Sequence, residues 1–372
     1  MNTLSVAAAL LLAPLSLVQA APASATAPAR AAAPVPVTVA LDWVPNLNHI
    51  GLYVAQARGW YAAAGLKVTL LPYGSVSPDT LVLAGKADLG ISGAEGVTTA
   101  VAAGQPLVSV AAIYATNTAS FAVLDGSDIR RPRDFDGRVY AAFGAPYETP
   151  ILQTMIRRDG GQGTFRSPAL NVFGLDALLA KRADFMWVFG AVEGVQARRT
   201  GHPLRTFSMK DYGVPDYYTP VFTADRRTLP ARRDRLRAFM AATARGYDYA
   251  RTHPAEAARL MIDTAPKGSF PDPGVLRDGL AELGRQGAYR APGRPWGEQT
   301  LKMWTEYPAF LLKAGAVKLP NGQSARQLDF RKLFTDELLR RSAQVRRDRA
   351  SLPDTSEPTR CPYRQRVFSS FQ

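Results

Sequence analysis

Asp42, Trp43, Asn46, Asn48 and His49 fall within eight residues of one another in LDWVPNLNHIGLYVAQARGWYAAAGL, residues 41–66. An acid and amides can exchange hydrogen bonds with the polar edge of a ligand, and an indole can cover its face. No glycine run that would cradle a phosphate accompanies them. His202 and His253 stand far away, so no spacing suggests a metal site. Similar types recur downstream: Ser92 and Glu95, Asn117, then Gly144, Tyr147 and Glu148, then Trp187 and Glu193, then Tyr217 and Tyr218. The set suits holding a flat polar molecule. Nothing in it forms a nucleophile elbow, a P-loop or a histidine–acid cluster, so no catalytic residue, no metal and no cofactor is expected.

The elements that must position these residues alternate between strand and helix. VPVTVAL (35–41) reads as a buried strand. Asn48 can cap a helix from about His49 to Ala64, with Gly65 as its stop. LKVTLLP is a second strand. Ser77-Pro78-Asp79 opens a helix, with Ser as cap, Pro in the first turn and Asp at the positive end of the dipole. GKADLGIS, PLVSVAAIY, LNVFG, DFMWVF and PLRTFS read as further strands, with helices at 94–103, 148–159, 176–181 and 191–200 between them. After DYGVPDYYTPVFTAD helix follows helix: Pro230–Thr252, Pro254–Thr264, Pro273–Gln286, Pro295–Ala314 and Ser324–Arg340. Such alternation implies open α/β sheets with parallel-type strands and covering helices, in two units that divide near Leu124. The helical C-terminal third is expected to pack on the first unit. In open α/β sheets ligands sit beyond the C-terminal ends of the strands. Asp42, Trp43, Ser92, Glu95, Asn117, Trp187 and Glu193 all fall at or just past such ends.

The 372 residues carry a formal charge of +14 and a pI near 10.0. Nucleic-acid binding is not expected, because the charge is scattered and no basic run is interleaved with aromatics. The tail 341–372 holds seven Arg against three acids, a net +4 of that total. Leu4–Val18 is an apolar run of signal-peptide length, with small residues at Val18-Gln19-Ala20; no Lys or Arg precedes it. The expected organisation is a cleaved leader at 1–20, an Ala/Pro-rich linker at 21–35, and a basic tail at 341–372. Cys361 is the single cysteine, which excludes an intrachain disulfide, a cysteine metal site and a lipid anchor after the leader. A soluble, exported monomer without a lipid anchor is expected.

The motif LDWVPNLNHIGLYVA, together with GKADLGIS, DFDGRVYAAFG and DYGVPDYYTP, resembles the periplasmic substrate-binding proteins of ABC transporters that carry the thiamine pyrimidine precursor, relatives of the hydroxymethylpyrimidine synthases. The resemblance covers roughly residues 36–340. It implies a type II periplasmic binding protein fold: two α/β lobes joined by a two-strand hinge, lobe 1 at 36–122 and 222–340, lobe 2 at 123–221. It implies a small heterocyclic ligand, such as hydroxymethylpyrimidine or its formylamino analogue, and permease and ATPase partners in the periplasm. Riboflavin or another heterocycle is the alternative ligand. The synthase branch uses a histidine at the position of His49, pyridoxal phosphate and a cysteine-rich iron-binding stretch. The corresponding region here reads VPDYYTPVF, without cysteine.

For a heterocycle site, Trp43 and Trp187 are the stacking candidates, with Tyr217 and Tyr218 behind them; each is otherwise a core aromatic. Glu95 and Glu193 either accept from a ligand amine or serve helix starts. Asp42, Asn46 and Asn117 either read the ligand or brace their loops. Gly144, Tyr147 and Glu148 open a helix whose backbone N–H groups suit an acceptor. His49 either lines the site or packs.

Overall fold

The computed structural model describes residues 33–168, 170 and 174–339. The leader, most of the linker, the tail and most of the strand expected at 170–174 lie outside these residues. Nine described strands form two sheets: β1 (Val35–Ala40), β2 (Leu66–Leu71), β3 (Leu89–Ser92), β4 (Leu107–Ala112), β5 (Ala119–Leu124), β6 (Tyr140–Ala141), β7 (Phe185–Phe189), β8 (Leu204–Ser208) and β9 (Val221–Asp225). The first sheet has the order β2-β1-β3-β9-β4 and the second β6-β7-β5-β8.

The sheets are mixed, not parallel as the alternation suggested. β1 runs parallel to β2 and β3, and β6 parallel to β7. β9 is antiparallel to β3 and β4, and β5 is antiparallel to β7 and β8. The cause is where the chain changes sheets. It leaves the first sheet beyond the C-terminal end of β4, enters β5, and returns through 209–220 into β9. Both passages are made at the end where the other strands finish, so β5 and β9 must run back against their neighbours.

The helices are α1 (Ile50–Ala57), α2 (Trp60–Ala63), α3 (Pro78–Leu83), α4 (Ala94–Ala102), α5 (Glu148–Arg158), α6 (Leu175–Leu179), α7 (Val195–Arg199), α8 (Leu229–Thr252), α9 (Pro254–Thr264), α10 (Pro273–Arg285) and α11 (Met303–Lys313). α1, α8, α9 and α10 bury their apolar faces on one face of the first sheet, around Val39, Ile91, Val110, Phe222 and Phe239. α3, α4 and α11 cover its other face, and that core runs on through Phe121, Phe135 and Phe185 to α5. The C-terminal helices α8–α10 thus do pack on the first unit.

The helix expected at 49–64 is three pieces. Asn46, not Asn48, is the cap: its Oδ1 accepts the Asn48 N–H at 2.8 Å above a single 3-10 turn, Leu47–His49. Gly59, at φ 67°, separates α1 from α2. α1 lies against α8 through two glycines. A Cβ on Gly246 would stand 2.0 Å from the Gly51 carbonyl oxygen. Ser77 caps α3 as expected, accepting the Thr80 N–H at 3.2 Å.

Two expected helices fail. Within Pro295–Ala314 only α11 is helical, because 296–297 serve β4: the Ala112 N–H donates to Gly297 O at 2.9 Å and Trp296 Nε1 donates to Ile113 O at 3.1 Å. Over Ser324–Arg340 the described residues hold only a 3-10 turn at Phe330–Lys332. Ser109 on β4 exchanges backbone hydrogen bonds with Leu333 and Thr335 at 2.9 and 2.8 Å, so the edge of the sheet draws this stretch into extended pairing.

Candidate functional site

The loop after β1 is built around a buried histidine. His49 is fully buried. The Asn46 backbone N–H donates to His49 Nδ1 at 3.3 Å. Nδ1 is therefore the acceptor, and Nε2 carries the proton that it donates to Asp42 Oδ1 at 2.8 Å. Tyr247 on α8 donates to Asn48 O at 2.5 Å and fixes the loop from behind. Asn46 is occupied on both sides, since its Nδ2 also donates to Val44 O at 2.9 Å. Asp42 keeps 28% of its side chain exposed. Trp43 is 54% exposed, its ring 4.7 Å from that of Tyr73 on the loop after β2.

Next along the tips, Ser92 donates to Asp79 Oδ2 at 2.6 Å, and Thr223 donates to Asp79 Oδ1 at 2.9 Å. Glu95 is buried at the start of α4 and accepts from Tyr307 of α11 at 2.7 Å. Burial holds both carboxyls above the usual carboxylate range, against the lowering effect of those hydroxyls. The register Ser92↔Val221 and Ala112↔Val221 brings the segment before β9 to the same end. Tyr217 is there, stacked on Tyr307 at 3.7 Å.

In the second sheet the register Ala119↔Phe189 and Ser120↔Ser208 gathers Asn117, the end of β7 and the end of β8 at one edge. Trp187 is half-buried, with Phe121 at 5.3 Å, Phe143 at 5.6 Å and Tyr147 at 6.2 Å. Glu193, in the π-helical turn after β7, accepts the Phe189 N–H at 2.8 Å, and burial raises its carboxyl. Glu148 is buried and folds its own loop: it accepts from Tyr140 at 2.6 Å, from the Phe143 N–H at 3.1 Å and from the Ala145 N–H. Gly144 lies in that loop at φ 91°.

A cavity of about 440 Å³ is lined by Asp79, Glu95 and Tyr147, with Leu311 and Val317 among its apolar walls. Burial raises the Tyr147 hydroxyl, with Glu95 and Glu148 as the charges that add to it.

The fourteen residues singled out in the sequence thus divide. Asp42, Trp43 and Ser92 stand at the ends of β1 and β3, Glu95 and Tyr147 line the cavity with Gly144 in the loop beside them, and Glu193 follows β7; Trp187, expected at a strand end, is instead the middle residue of β7, paired with Phe121. The others are committed to the framework. Asn46 and Asn117 brace loops, the latter accepting the Ala119 N–H at 2.9 Å. His49 orients Asp42, and Glu148 ties its loop. Tyr217 is packed, and Tyr218 accepts the Thr300 N–H at 3.0 Å. Sequence reading passed over Asp79 as a helix-dipole acid; nothing local marks its burial under Ser92 and Thr223. Tyr73 and Phe143 follow β2 and β6, and the strand-tip rule applied to β1 would have found them. Among the described residues no group of acids, histidines or cysteines could hold a metal.

The profile of the family described as NMT1/THI5 like matches residues 46–257. The formylaminopyrimidine-binding protein of Halalkalibacterium halodurans is 29% identical over 281 residues, which is 74% of this chain and 84% of that protein. A 4-amino-5-hydroxymethyl-2-methylpyrimidine phosphate synthase of Saccharomyces cerevisiae is 32% identical over 94 residues, covering 25% of this chain and 28% of the enzyme. Among solved structures, the periplasmic aliphatic sulphonate binding protein SsuA from Escherichia coli superposes with a TM-score of 0.59 at 14% identity, over 91% of this chain and 98% of its own. At that identity the likeness speaks for the fold: a type II periplasmic binding protein, whose two α/β lobes account for the two mixed sheets and the paired crossings. With the profile spanning more than half of the residues, including the Asn46–His49 turn, both crossings and Glu193, the chain belongs to the NMT1/THI5-like family.

Proposed function

We propose that the chain is an extracytoplasmic solute-binding protein that delivers a thiamine pyrimidine precursor, hydroxymethylpyrimidine or its formylamino analogue, to the permease and ATPase of an ABC importer. The observation that carries this reading is the combination of aromatics and acids at the tips of the first sheet and on and after β7. Exposed Trp43 and half-buried Trp187 offer ring faces, while Asp42, Glu95 and Glu193 offer acceptors to an exocyclic amine. The formylaminopyrimidine-binding relative supports the ligand class. Binding without conversion is favoured because Cys361 is the single cysteine, so the iron-binding stretch of the synthases has no counterpart.

In this reading lobe 1 comprises 34–112 with 221–339, lobe 2 comprises 119–208, and the crossings 113–118 and 209–220 form the hinge; the boundaries expected at 122/123 and 221/222 move because β5 (Ala119–Leu124) pairs with β7 and β8, and β9 from Val221 pairs with β3 and β4. A ligand touching both sets of tips binds the closed arrangement better and draws the population toward it. Export by the N-terminal apolar run would place the protein in the periplasm without a lipid anchor. No described helix is long and apolar enough to cross a membrane.

The test is thermal shift and titration calorimetry against hydroxymethylpyrimidine, formylaminopyrimidine, riboflavin and other heterocycles. At 100 times Kd the cognate ligand should add about 2.7 kcal/mol of stability. A response to riboflavin alone would move the ligand to the flavin class, and no response to any heterocycle would overturn the proposal.

A further inference from the structure

Eight large apolar side chains stand exposed among the described residues, and five of them lie on three loops: Trp43 and Val44 after β1, Tyr73 and Val76 after β2, and Phe143 after β6. Exposed apolar residues scattered singly need no explanation, but a set gathered at the tips of parallel strands marks a surface that something covers. The aromatic members are paired. Tyr73 leans on Trp43 at 45°, and Phe143 stands edge-on to Trp187 at 88° and to Tyr147 at 61°. Exposure of 46% for Tyr73 and 53% for Phe143 leaves ring surface on each wall uncovered.

The electrostatics of the same region are one-sided. Residues 41–49, 72–77 and 142–148 contain no Lys or Arg in a chain of net charge +14. Asp79 and Glu95, which line the adjoining cavity, and Glu193 after β7 are buried acids whose carboxyls burial raises. An anion brought to these loops would meet carboxyls; Lys318, the one cation among the described residues lining the adjoining cavity, is held by Ser324 Oγ at 2.8 Å. The sulphonate-binding protein of the same fold takes an anion by name.

We infer that Tyr73 and Phe143 are ligand-contacting walls of the site, one beside each set of strand tips, and that the site accepts a planar neutral or cationic heteroaromatic ring and rejects an anionic one. This rests on the proposed solute-binding role and narrows its ligand class. Tyr73 widens the wall that Trp43 begins, and Phe143 stands across the edge of Trp187 as the other wall. A ring between them loses its water on both sides, while its amine finds the acids at the edges.

Calorimetry with 4-amino-5-hydroxymethyl-2-methylpyrimidine, its phosphate monoester and ethanesulfonate tests the inference on wild type, Tyr73→Ala, Tyr73→Phe, Phe143→Ala and Leu179→Ala, the last an exposed leucine on α6. The two aromatic-to-alanine changes should each weaken binding of the neutral ring about five- to twentyfold. Tyr73→Phe, which keeps the ring, should recover most of the affinity lost in Tyr73→Ala, Leu179→Ala should stay within about twofold of wild type, and the melting temperatures should not move. The phosphate monoester should bind at least about tenfold more weakly than the alcohol, and ethanesulfonate should not compete.

If wild type binds the ring and both alanine variants match it, the walls are misassigned while the solute-binding role stands. Unchanged affinity with lost uptake in cells would assign these loops to docking on the transporter and overturn the inference. Equal binding of the phosphate monoester would overturn the charge selection. If wild type binds none of the three, this inference falls, and the wider heterocycle panel decides by itself whether the solute-binding role stands.

Discussion

Asp216 joins the two crossings through Asn117. Its Oδ1 accepts the Asn117 backbone N–H at 2.9 Å and the Tyr217 N–H at 2.9 Å, while its Oδ2 accepts from Thr116 Oγ1 at 2.6 Å. One carboxylate thus holds both segments that pass between the sheets. Asp216→Ala removes three hydrogen bonds to a half-buried group and should cost about 1–3 kcal/mol in urea unfolding. Asp216→Asn keeps one acceptor oxygen and should cost less. Equal stability of wild type and the alanine variant would show that the crossings hold each other without it.

Trp43 separates binding from folding. With 54% of its surface exposed, it adds little to the core. Trp43→Ala should weaken ligand binding about five- to a hundredfold, which corresponds to about 1–3 kcal/mol of ring contact, and should leave the unfolding midpoint nearly unchanged. Calorimetry beside denaturation reads both halves. Wild-type affinity in this variant would make Trp43 a surface aromatic that serves only Tyr73.

Acid response should report the buried carboxyls. Glu95 and Asp79 have ordinary values of 4.5 and 3.8, and burial raises both in the folded protein. Above those values the unfolded chain releases protons that the folded state still holds. Stability contributed by these groups is therefore greatest at low pH and declines as pH rises toward their raised values. Glu95→Gln and Asp79→Asn should each flatten the fall of unfolding free energy as pH rises above about 4. Identical slopes in wild type and variants would show that both groups titrate alike in the two states.

The α1–α8 contact should tolerate no added methyl. Gly246→Ala places a Cβ 2.0 Å from the Gly51 carbonyl oxygen, on backbone that cannot swing aside. It should cost about 1–3 kcal/mol. Gly284→Ala on α10 meets nothing within 4 Å and serves as the control, neutral or stabilising by up to about 1 kcal/mol. Because α1 carries the Asp42–His49 loop at its start, Gly246→Ala should also lower affinity.

The sequence by itself determined what local chemistry can determine. Ser77 before Pro78 had to start a helix, since its hydroxyl and the proline ring both favour that turn. The alternation of apolar runs had to give covered sheets. A polar and aromatic set at Asp42–His49 had to lie at a strand tip, and the whole motif was specific enough to reveal its family. The tertiary structure decided matters that no local pattern encodes. Strand direction followed from where the chain crosses between sheets, so β5 and β9 run against their neighbours. The stretch at 333–335 became an edge pairing for β4 instead of a helix, because an open strand edge offers hydrogen bonds that a weak amphipathic pattern cannot outbid. The roles of the acids were settled in the same way. Asp79 met Ser92 and Thr223, Glu95 met Tyr307, and Glu148 turned back on its own loop. A carboxylate's burial and partners depend on residues as far apart as 95 and 307, and spacing along the chain carries no record of that meeting.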